Sequence, residues 1–467
     1  MTAERGKIMG PGSIRTAEWD IPPFVRSVIT RLHRTGHEAY VVGGAVRDLC
    51  MARPATDWDV TTSASPEHIA SVFRRLRSFS LKHETVTLVC RRRHYEVTTF
   101  RGPNKTLEED LKHRDFTINA MAYDMGRSVL IDPWGGRKDI AKGVVRGVVS
   151  PEERFREDPL RLMRAVRIAA ELGFRIHGKS LKAISSMAEA ITAAAPERIR
   201  DELVRILLCE KPSQGLHLLK KTGLMARILP ELVEAGSVRE SLSKTMTVYQ
   251  HILATVDQVE PDAVLRLASL FHGIAQSASP DHETRSAKAA QEILVRLCFS
   301  KSMIRQVVRL VQEQEALASY HSSWSDGDLR RFIRRVGVEE MESLISLRRA
   351  HLLTSARRAH EPLRLLDEIQ RRMRDVMKTP LARGPQDLAI SGSKVMEVTG
   401  LSPGPEVGRI LERLSEELMD HPEWNTRKRL MALLKKMKTM ALAEHPEVLG
   451  KTDRTAGRLK TRAQPKS

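Results

Sequence analysis

Strand-forming segments are confined to the first third of this chain, and that confinement most strongly limits its fold. EAYVVGG, TVTLVCRRR and HYEVTTFR are β-branched or alternate apolar with polar residues, and turn residues flank them. After about residue 148, strand signals nearly vanish and apolar residues recur at helical spacing, as in PLRLMRAVRIAAELGF. The sequence therefore predicts a small α/β head followed by a long all-helical body.

The charge balance indicates a polyanionic partner. The 467 residues carry a formal net charge of +19. Lys and Arg displace counterions condensed on phosphates, so this excess favours nucleic acid, with a basic surface kept for solubility as the alternative. Only 4% of the residues are aromatic, so recognition of structured RNA or DNA by charge and shape fits better than stacking on many splayed bases.

The cysteines and the N-terminal composition predict a reducing compartment. The four cysteines, at positions 50, 90, 209 and 298, form no C-x-x-C pair, so neither a zinc site nor a disulfide framework is predicted. Residues 1–22 read as a polar leader without an apolar signal core, and no apolar run approaches membrane-spanning length. We therefore expect a cytoplasmic protein with no membrane partner.

The stretch GGAVRDLCMARPATDWDV, residues 43–60, carries the strongest chemical signal. Asp57 and Asp59 are two residues apart, so on an extended strand both carboxylates project to one face. Such like charges resist joint ionisation unless a divalent cation lies between them. An isolated D-x-D is usually an exposed turn or helix cap. Here, however, a double glycine opens a helix one turn before Arg47, which favours a Mg²⁺–triphosphate site.

Further stretches extend this pattern: HRDFTINAMAYD, DPWGGRKDI, EDPLRLMRAVRIAAELGF and ERIRDEL. Together they resemble, in order, the motifs of class II tRNA nucleotidyltransferases and bacterial poly(A) polymerases. GLSPGPEVGRILERL resembles the tail of the tRNA enzymes. The resemblance runs from about residue 23 to 440. It implies a polymerase-beta-like α/β nucleotidyltransferase head with a mixed sheet, followed by an all-helical neck, body and tail.

The resemblance also implies domain boundaries. They are a polar leader 1–22, a head 23–147, a neck with the base-reading motif 148–210, a degenerate HD-like body 211–330, a tRNA-binding tail 331–448, and a basic disordered segment 449–467. In the body, His251, His272 and His282 resemble remnants of an HD-type metal site. Gly273 occupies the place of the aspartate, so we expect surface or core histidines and no phosphohydrolase.

Site residues follow from the resemblance residue by residue. Asp57 and Asp59 would be the metal-binding catalytic carboxylates, holding two Mg²⁺ ions that stabilise the attacking and leaving oxygens of phosphoryl transfer. Glu96 is a candidate third carboxylate, and an ordinary strand-face glutamate beside arginines is the equal alternative.

The nucleotide would be contacted from the double-glycine helix and from the HRDF stretch. The resemblance implies that Gly44 and Arg47 contact its phosphates, and that Arg114 and Asp115 read the ribose. His113 stands where the family usually has another arginine.

The base would be read by EDPLRLMRAVR. Asp158 and Arg161 would present an acceptor and donors to the base edge, which complement cytosine. Glu157 would hold Arg161, and Arg164 and Arg167 would face phosphates. Arg161, Arg164 and Arg167 recur at three-residue steps. Without the resemblance, a row of arginines of this kind would usually be a solvated helix face.

The leading hypothesis is a template-independent enzyme that adds C residues to the tRNA 3′ end from CTP, with ATP as a second candidate substrate, and releases pyrophosphate. The alternatives are a poly(A) polymerase, a small-molecule nucleotidyltransferase and an RNA-binding protein with a decayed head. The tail stretch favours the tRNA enzyme. The basic helical body argues against a small-molecule substrate, and the intact acidic positions argue against decay.

The connection between TTFR and EEDL consists only of Gly102 to Thr106. In family members that complete CCA, a considerably longer loop lies here and is thought to act as a lever that switches the pocket from CTP to ATP. Five residues span at most about 17 Å. The sequence therefore predicts an enzyme that adds CC, with a separate A-adding enzyme acting on its product. Trimming of a dispensable loop is the alternative.

Overall fold

The computed structural model describes residues 13–15, 19–74, 77–81, 84–91, 93–235, 246–275, 282–314, 316–317, 319–355, 360–378 and 384–444. The chain divides into two compact units, Met1–Val308 and Arg309–Ser467. Within these described ranges, no helix combines the length and apolarity that a membrane crossing requires.

An eight-stranded mixed sheet forms the centre of the head, as predicted. Its order is β1-β8-β7-β2-β3-β6-β5-β4, and β3 runs parallel to β6 whereas the other neighbours are antiparallel. The strands are β1 Ser13–Arg15, β2 Ala39–Val42, β3 Asp59–Thr62, β4 Arg77–Leu81, β5 Thr85–Cys90, β6 Arg93–Thr99, β7 Ala122–Asp124 and β8 Val129–Ile131.

The first strand lies inside the segment predicted to be a polar leader. β1 pairs antiparallel with β8, with Ile14 opposite Leu130. It is therefore an edge strand, and the leader prediction was wrong for these three residues.

Five helices accompany this sheet: α1 Pro23–Arg34, α2 Gly44–Cys50, α3 Pro66–Val72, α4 Leu107–Lys112 and α5 Gly136–Ala141. The first of them shows how the head core forms. Val25, Val28, Ile29 and Leu32 recur at helical spacing and are almost completely buried. They join Val60 of β3 in one apolar cluster, which anchors the strand that begins with Asp59.

Short helices and a two-stranded parallel sheet continue the first unit. The elements are β9 Val144–Val145, α6 Pro151–Glu157, α7 Arg161–Leu172, β10 Arg175–Ile176, α8 Gly178–Ser186, α9 Pro196–Leu207, α10 Pro212–Lys221, α11 Met225–Ile228, α12 Pro230–Ala235, α13 Val248–Gln258, α14 Ala263–Phe271 and α15 His282–Arg296. Strands β9 and β10 pair, and α7 packs against α9 and α10. This packing holds the predicted neck as a helical layer.

Two of the three histidines of the predicted body are core residues. His251 and His272 are almost completely buried, and their Nε2 atoms lie 3.1 Å apart. Burial, followed by the neighbouring His272, lowers the pKa of His251 to about 3. Both imidazoles are therefore part of the folded interior. The side chain of His282 lies outside the described residues.

The helices from residue 301 onward are α16 Lys301–Glu313, α17 Asp326–Val336, α18 Met341–Ser355, α19 His360–Met377, α20 Gly392–Thr399, α21 Pro405–Asp420 and α22 Arg427–Glu444. Because α17 packs against α19 and α21, the second unit starts before the boundary expected between 330 and 331. Residues 449–467, expected to be disordered, lie outside the described residues.

The last helix combines a core role with a basic outer surface. Leu430 and Leu434 of α22 are completely buried in the apolar cluster of the second unit. Lys428, Lys435 and Lys436 are exposed on the same helix. Removal of the helix would therefore open that core, whereas neutralisation of its lysines would not.

Candidate active site

The predicted catalytic carboxylates lie at the start of the central strand. Asp59 is the first residue of β3, and Glu96 is its register partner on the parallel strand β6. Asp57 precedes the strand and is exposed, whereas the sequence suggested that both aspartates lie on it. Trp58 and Val60, on either side of Asp59, are buried, so the Asp59 carboxylate projects away from the core.

The electrostatics of this cluster favour a bound cation. Burial is the main cause that raises the pKa of Asp59, which reaches about 6. The negative charges of Glu96 and Asp57 contribute to this increase, and the positive charge of Arg114 opposes it. A carboxylate that is costly to ionise beside two like charges is stabilised by a divalent ion. All three donor groups supply carboxylate oxygens, which Mg²⁺ prefers. The donor set therefore fits the predicted metal.

The backbone of Gly43 closely approaches the cluster. Its φ is +76°, and a Cβ there would lie 3.1 Å from Oδ2 of Asp59 and 3.3 Å from Nη1 of Arg114. A larger residue would be strained and would crowd both charged groups. Gly44 begins α2 directly afterwards, and Arg47 follows one turn later. The double glycine thus brings the start of α2 next to the carboxylates.

A completely buried aspartate positions Arg114. Nε and Nη2 of Arg114 donate to Oδ2 of Asp110 at 3.3 and 3.1 Å. The hydroxyl of Thr61 donates to the same oxygen at 3.1 Å, and Thr61 lies two residues after Asp59 on β3. Asp110 therefore ties α4 to the catalytic strand. Sequence reasoning missed Asp110, because its position in the EEDL stretch was the only feature that set it apart.

Hydrogen bonds link the double-glycine helix to the neck. Nη1 of Arg47 donates to Oδ1 of Asn119 at 3.2 Å, and Nδ2 of Asn119 donates to Oδ1 of Asp115 at 3.1 Å. Oδ2 of Asp115 accepts two hydrogen bonds from Arg164, at 2.9 and 2.6 Å. Both carboxylate oxygens of Asp115 thus already accept hydrogen bonds within the protein. The contact of Asp115 with a ribose stays a prediction.

The arginines of α7 differ in exposure. Arg164 has a side chain that is 34% exposed, whereas that of Arg167 is 5% exposed. Arg167 donates to Glu202 at 2.7 Å and to both oxygens of Glu171 at 3.1 Å. We therefore attribute a structural role to Arg167, although the sequence suggested a phosphate contact. Packing of α9 on this side of α7 supplies Glu202 and explains the difference.

The predicted base-reading arginine is held from two sides. Nη1 of Arg161 donates to Glu157 at 2.8 Å, and Nη2 donates to the carbonyl oxygen of His113 at 3.0 Å. His113 itself accepts from Nη1 of Arg154 at 3.0 Å, in the tautomer that leaves its Nδ1 unprotonated. The His–Arg–Asp stretch of the head therefore orients the side chain that would face a base.

Asp158 is held by a residue that sequence reasoning missed. Asp158 follows α6, and its two oxygens accept from Nη1 and Nη2 of Arg198 at 3.1 and 2.8 Å. Arg198 lies in the ERIRDEL stretch, which the sequence singled out without a role for either of its arginines. The described geometry thus places Asp158 between α6 and α9.

Three family models match successive parts of the chain. Residues 39–146 match the poly A polymerase head domain. Residues 173–235 match the model described as the probable RNA and SrmB-binding site of polymerase A. Residues 283–434 match the putative tRNA nucleotidyltransferase domain 2.

Individual relatives and solved structures agree with these models. A CCA-adding enzyme of Geobacillus thermodenitrificans is 33% identical over 430 residues, which cover 88% of this chain and 97% of the relative. A CC-adding tRNA nucleotidyltransferase of Halalkalibacterium halodurans is 42% identical over 198 residues, 42% of this chain and 52% of the relative. The crystal structure of the Bacillus stearothermophilus CCA-adding enzyme with CTP superposes with a TM-score of 0.69 at 29% identity, covering 91% of this chain and all of that one.

Proposed function

This chain belongs to the class II tRNA nucleotidyltransferase family, and on that premise we propose that it adds two cytidines to the tRNA 3′ end from CTP and then stops. The observation that carries the nucleotidyl-transfer part of this proposal is the cluster of Asp57, Asp59 and Glu96 beside Gly43 and Arg114.

We assign the cation to the carboxylates. Asp57 and Asp59 would hold Mg²⁺, two ions in the two-metal form, with Glu96 as the third candidate. When bound, the cations supply charge stabilisation for the attacking and leaving oxygens. Arg47 and Arg114 offer guanidinium donors to the triphosphate and ribose, and charge-assisted hydrogen bonds of this kind orient phosphates strongly.

The remaining contacts to the nucleotide come from the start of α2, the head and the neck. Gly44 allows the close approach of a phosphate. Arg164 is partly exposed and is assigned to the phosphates, whereas Asp115 is assigned to the ribose through its bond with Arg164. These assignments place the sugar and the phosphates where the head meets the neck.

Asp158 and Arg161 are assigned to the base. Cytosine offers an N4–H₂ donor and the O2 and N3 acceptors, which complement a carboxylate and a guanidinium. Adenine offers an N6–H₂ donor and an N1 acceptor, which makes ATP the second candidate substrate. Uracil has its O4 keto oxygen, and guanine its O6 keto oxygen, at the position where cytosine and adenine have an amino group. A carboxylate at that position would therefore disfavour uracil and guanine.

We expect Arg161→Ala to impair nucleotide selection more than catalysis at saturating CTP, because its guanidinium is assigned to the base and not to the reacting phosphate. The ratio of kcat/KM for CTP to that for UTP should fall by about tenfold. Steady-state kinetics with both nucleotides measure this ratio. Arg205→Ala, which removes an exposed arginine paired with Glu171, is the control. An undiminished ratio in the Arg161 variant would contradict the assignment.

The arrest after two cytidines is proposed from the connection between β6 and α4. The backbone N–H and Nδ2 of Asn104 donate to the carboxylate of Glu109 at 2.7 and 2.8 Å. Gly102 has a φ of +91°, and a Cβ there would lie 2.8 Å from the same carboxylate. The connection is therefore a turn fastened onto α4. This supports the view that the connection does not act as a lever that switches the pocket from CTP to ATP. A separate A-adding enzyme would then complete the tRNA 3′ end.

One assay tests the proposal. Purified protein is incubated with a tRNA transcript that lacks its 3′ CCA and with each labelled nucleotide in turn. Incorporation of CTP alone is the expected result. Repeated incorporation of ATP on several RNAs would indicate a poly(A) polymerase, and no incorporation with retained RNA affinity would indicate a decayed head.

We expect the basic surface of α22 to contribute to tRNA affinity. Neutralisation of Lys428, Lys435 and Lys436 to alanine should weaken binding and reduce the slope of log K against log salt by about 2–3, because each phosphate contact contributes about 0.7–0.9. The core leucines of the helix stay in place. Filter binding across a salt series measures the slope, and Lys179→Ala, which changes an exposed lysine of α8, serves as the control. An unchanged slope would make this surface merely solvated.

A further inference from the structure

The carboxylate assigned to the base has a bidentate partner on another helix. Nη1 and Nη2 of Arg198 donate to Oδ1 and Oδ2 of Asp158, and the backbone N–H of Leu160 donates to Oδ1 at 3.2 Å. Two parallel hydrogen bonds fix both the position and the plane of a carboxylate. The plane in which Asp158 presents its remaining lone pairs is therefore set from α9.

The chemistry of this contact depends on the charge of Asp158. An ionised carboxylate only accepts hydrogen bonds, whereas a protonated one also donates. Burial alone would raise the pKa of Asp158, but the hydrogen bonds and charge of Arg198 outweigh burial and lower it. Arg161 and Arg164 of α7 also act on this carboxylate. The largest favourable contribution comes from Arg198.

We infer that Arg198 is a positioning residue for nucleotide specificity: by holding Asp158 as an acceptor only, it makes the site accept bases with an exocyclic amino group and reject bases with a keto oxygen there. This inference rests on the proposed assignment of Asp158 to the base. An amino group donates to the held carboxylate, whereas the O4 of uracil would meet it as a second acceptor.

The exposure of Arg198 distinguishes this role from simple helix packing. Its side chain is 52% exposed, and that of Asp158 is 27% exposed. An ion pair this exposed contributes little to folding, because water screens its charges. Removal of Arg198 should therefore leave the fold intact while it frees Asp158 to rotate and to take up a proton.

The test compares CTP with UTP in Arg198→Ala and Arg198→Lys. In the alanine variant we expect the kcat/KM ratio of CTP over UTP to fall about tenfold at pH 7.5, which corresponds to one lost interaction of ordinary strength. It should fall further as the pH decreases to 5.5, because a protonated Asp158 donates to O4 of uracil. The lysine variant, which keeps one charged donor, should recover part of the ratio and lose most of the pH effect.

Controls separate the inference from its premise. Arg205→Ala removes a comparably exposed arginine from the same helix and should leave the ratio and its pH profile unchanged. If Asp158→Ala keeps full CTP preference, the assignment of Asp158 to the base fails, and the inference fails with it. If Asp158→Ala loses that preference while Arg198→Ala keeps a wild-type ratio from pH 5.5 to 7.5, only the role of Arg198 is overturned. Thermal melting of each variant establishes that it is folded.

Discussion

Asp59→Ala is expected to reduce nucleotide incorporation by about a thousandfold or more while tRNA affinity stays close to that of the wild type. Asp59 begins the strand on which the proposed cation site is built, so its removal takes a carboxylate from the centre of that site. RNA affinity depends instead on positive charge spread over the surface. Asp57→Ala should behave in the same way.

Incorporation of labelled CTP and filter binding of tRNA, measured on the same preparation, test this separation. Glu67→Ala removes an exposed acidic side chain from α3 and should leave both quantities unchanged. Loss of tRNA affinity in parallel with activity would indicate misfolding, and would contradict the separation of catalysis from binding.

Asp115→Asn is expected to lower the free energy of unfolding of the first unit by about 2–4 kcal/mol. The substitution keeps the shape but removes the charge that faces Arg164. Loss of one partner from a fully buried pair costs about 3–5 kcal/mol, and a third of the Arg164 side chain is exposed, so a smaller value is expected. Denaturant unfolding measures the difference. Asp201→Asn, in an exposed pair with Arg200, should change stability by less than about 0.5 kcal/mol.

The same pair predicts a dependence on pH. Burial alone would raise the pKa of Asp115, but the charge and hydrogen bonds of Arg164 outweigh burial and hold it well below its ordinary value. A depressed pKa contributes stability above the unfolded value of about 3.9, and that contribution is lost as the pH falls below it. The wild type and Asp115→Asn should therefore converge in acid. A constant difference between pH 7 and pH 3 would contradict this account of the pair.

The fold of the head follows in part from local pattern, whereas the strands β1, β4, β7 and β8 were not identified from the sequence. The strands around Val41, Val60 and Val97 alternate or are β-branched, and α1 repeats its apolar residues at helical spacing. The edge strand β1 was missed because three residues offer no periodicity. It forms through pairing with β8, more than a hundred residues later in the chain.

In the site, too, residues that are close in sequence could be predicted, whereas contacts between distant residues could not. Asp57 and Asp59 fall within one short stretch, so sequence identified them together. The bond of Asp158 with Arg198 joins residues 40 positions apart, and that of Arg164 with Asp115 joins residues 49 apart. Helical spacing assigns arginines to a face of α7 but does not reveal which side α9 covers. The burial of Arg167 could therefore not be predicted.

The central claim is tested most directly by the length of the product on a tRNA that ends at the discriminator base, with CTP and ATP both present. We expect a product two cytidines longer, which does not grow further at high enzyme concentration or long incubation. Replacement of residues 102–106 by the longer loop of a CCA-adding relative should then permit the terminal adenosine. A complete CCA end produced by the unaltered protein alone would contradict the account.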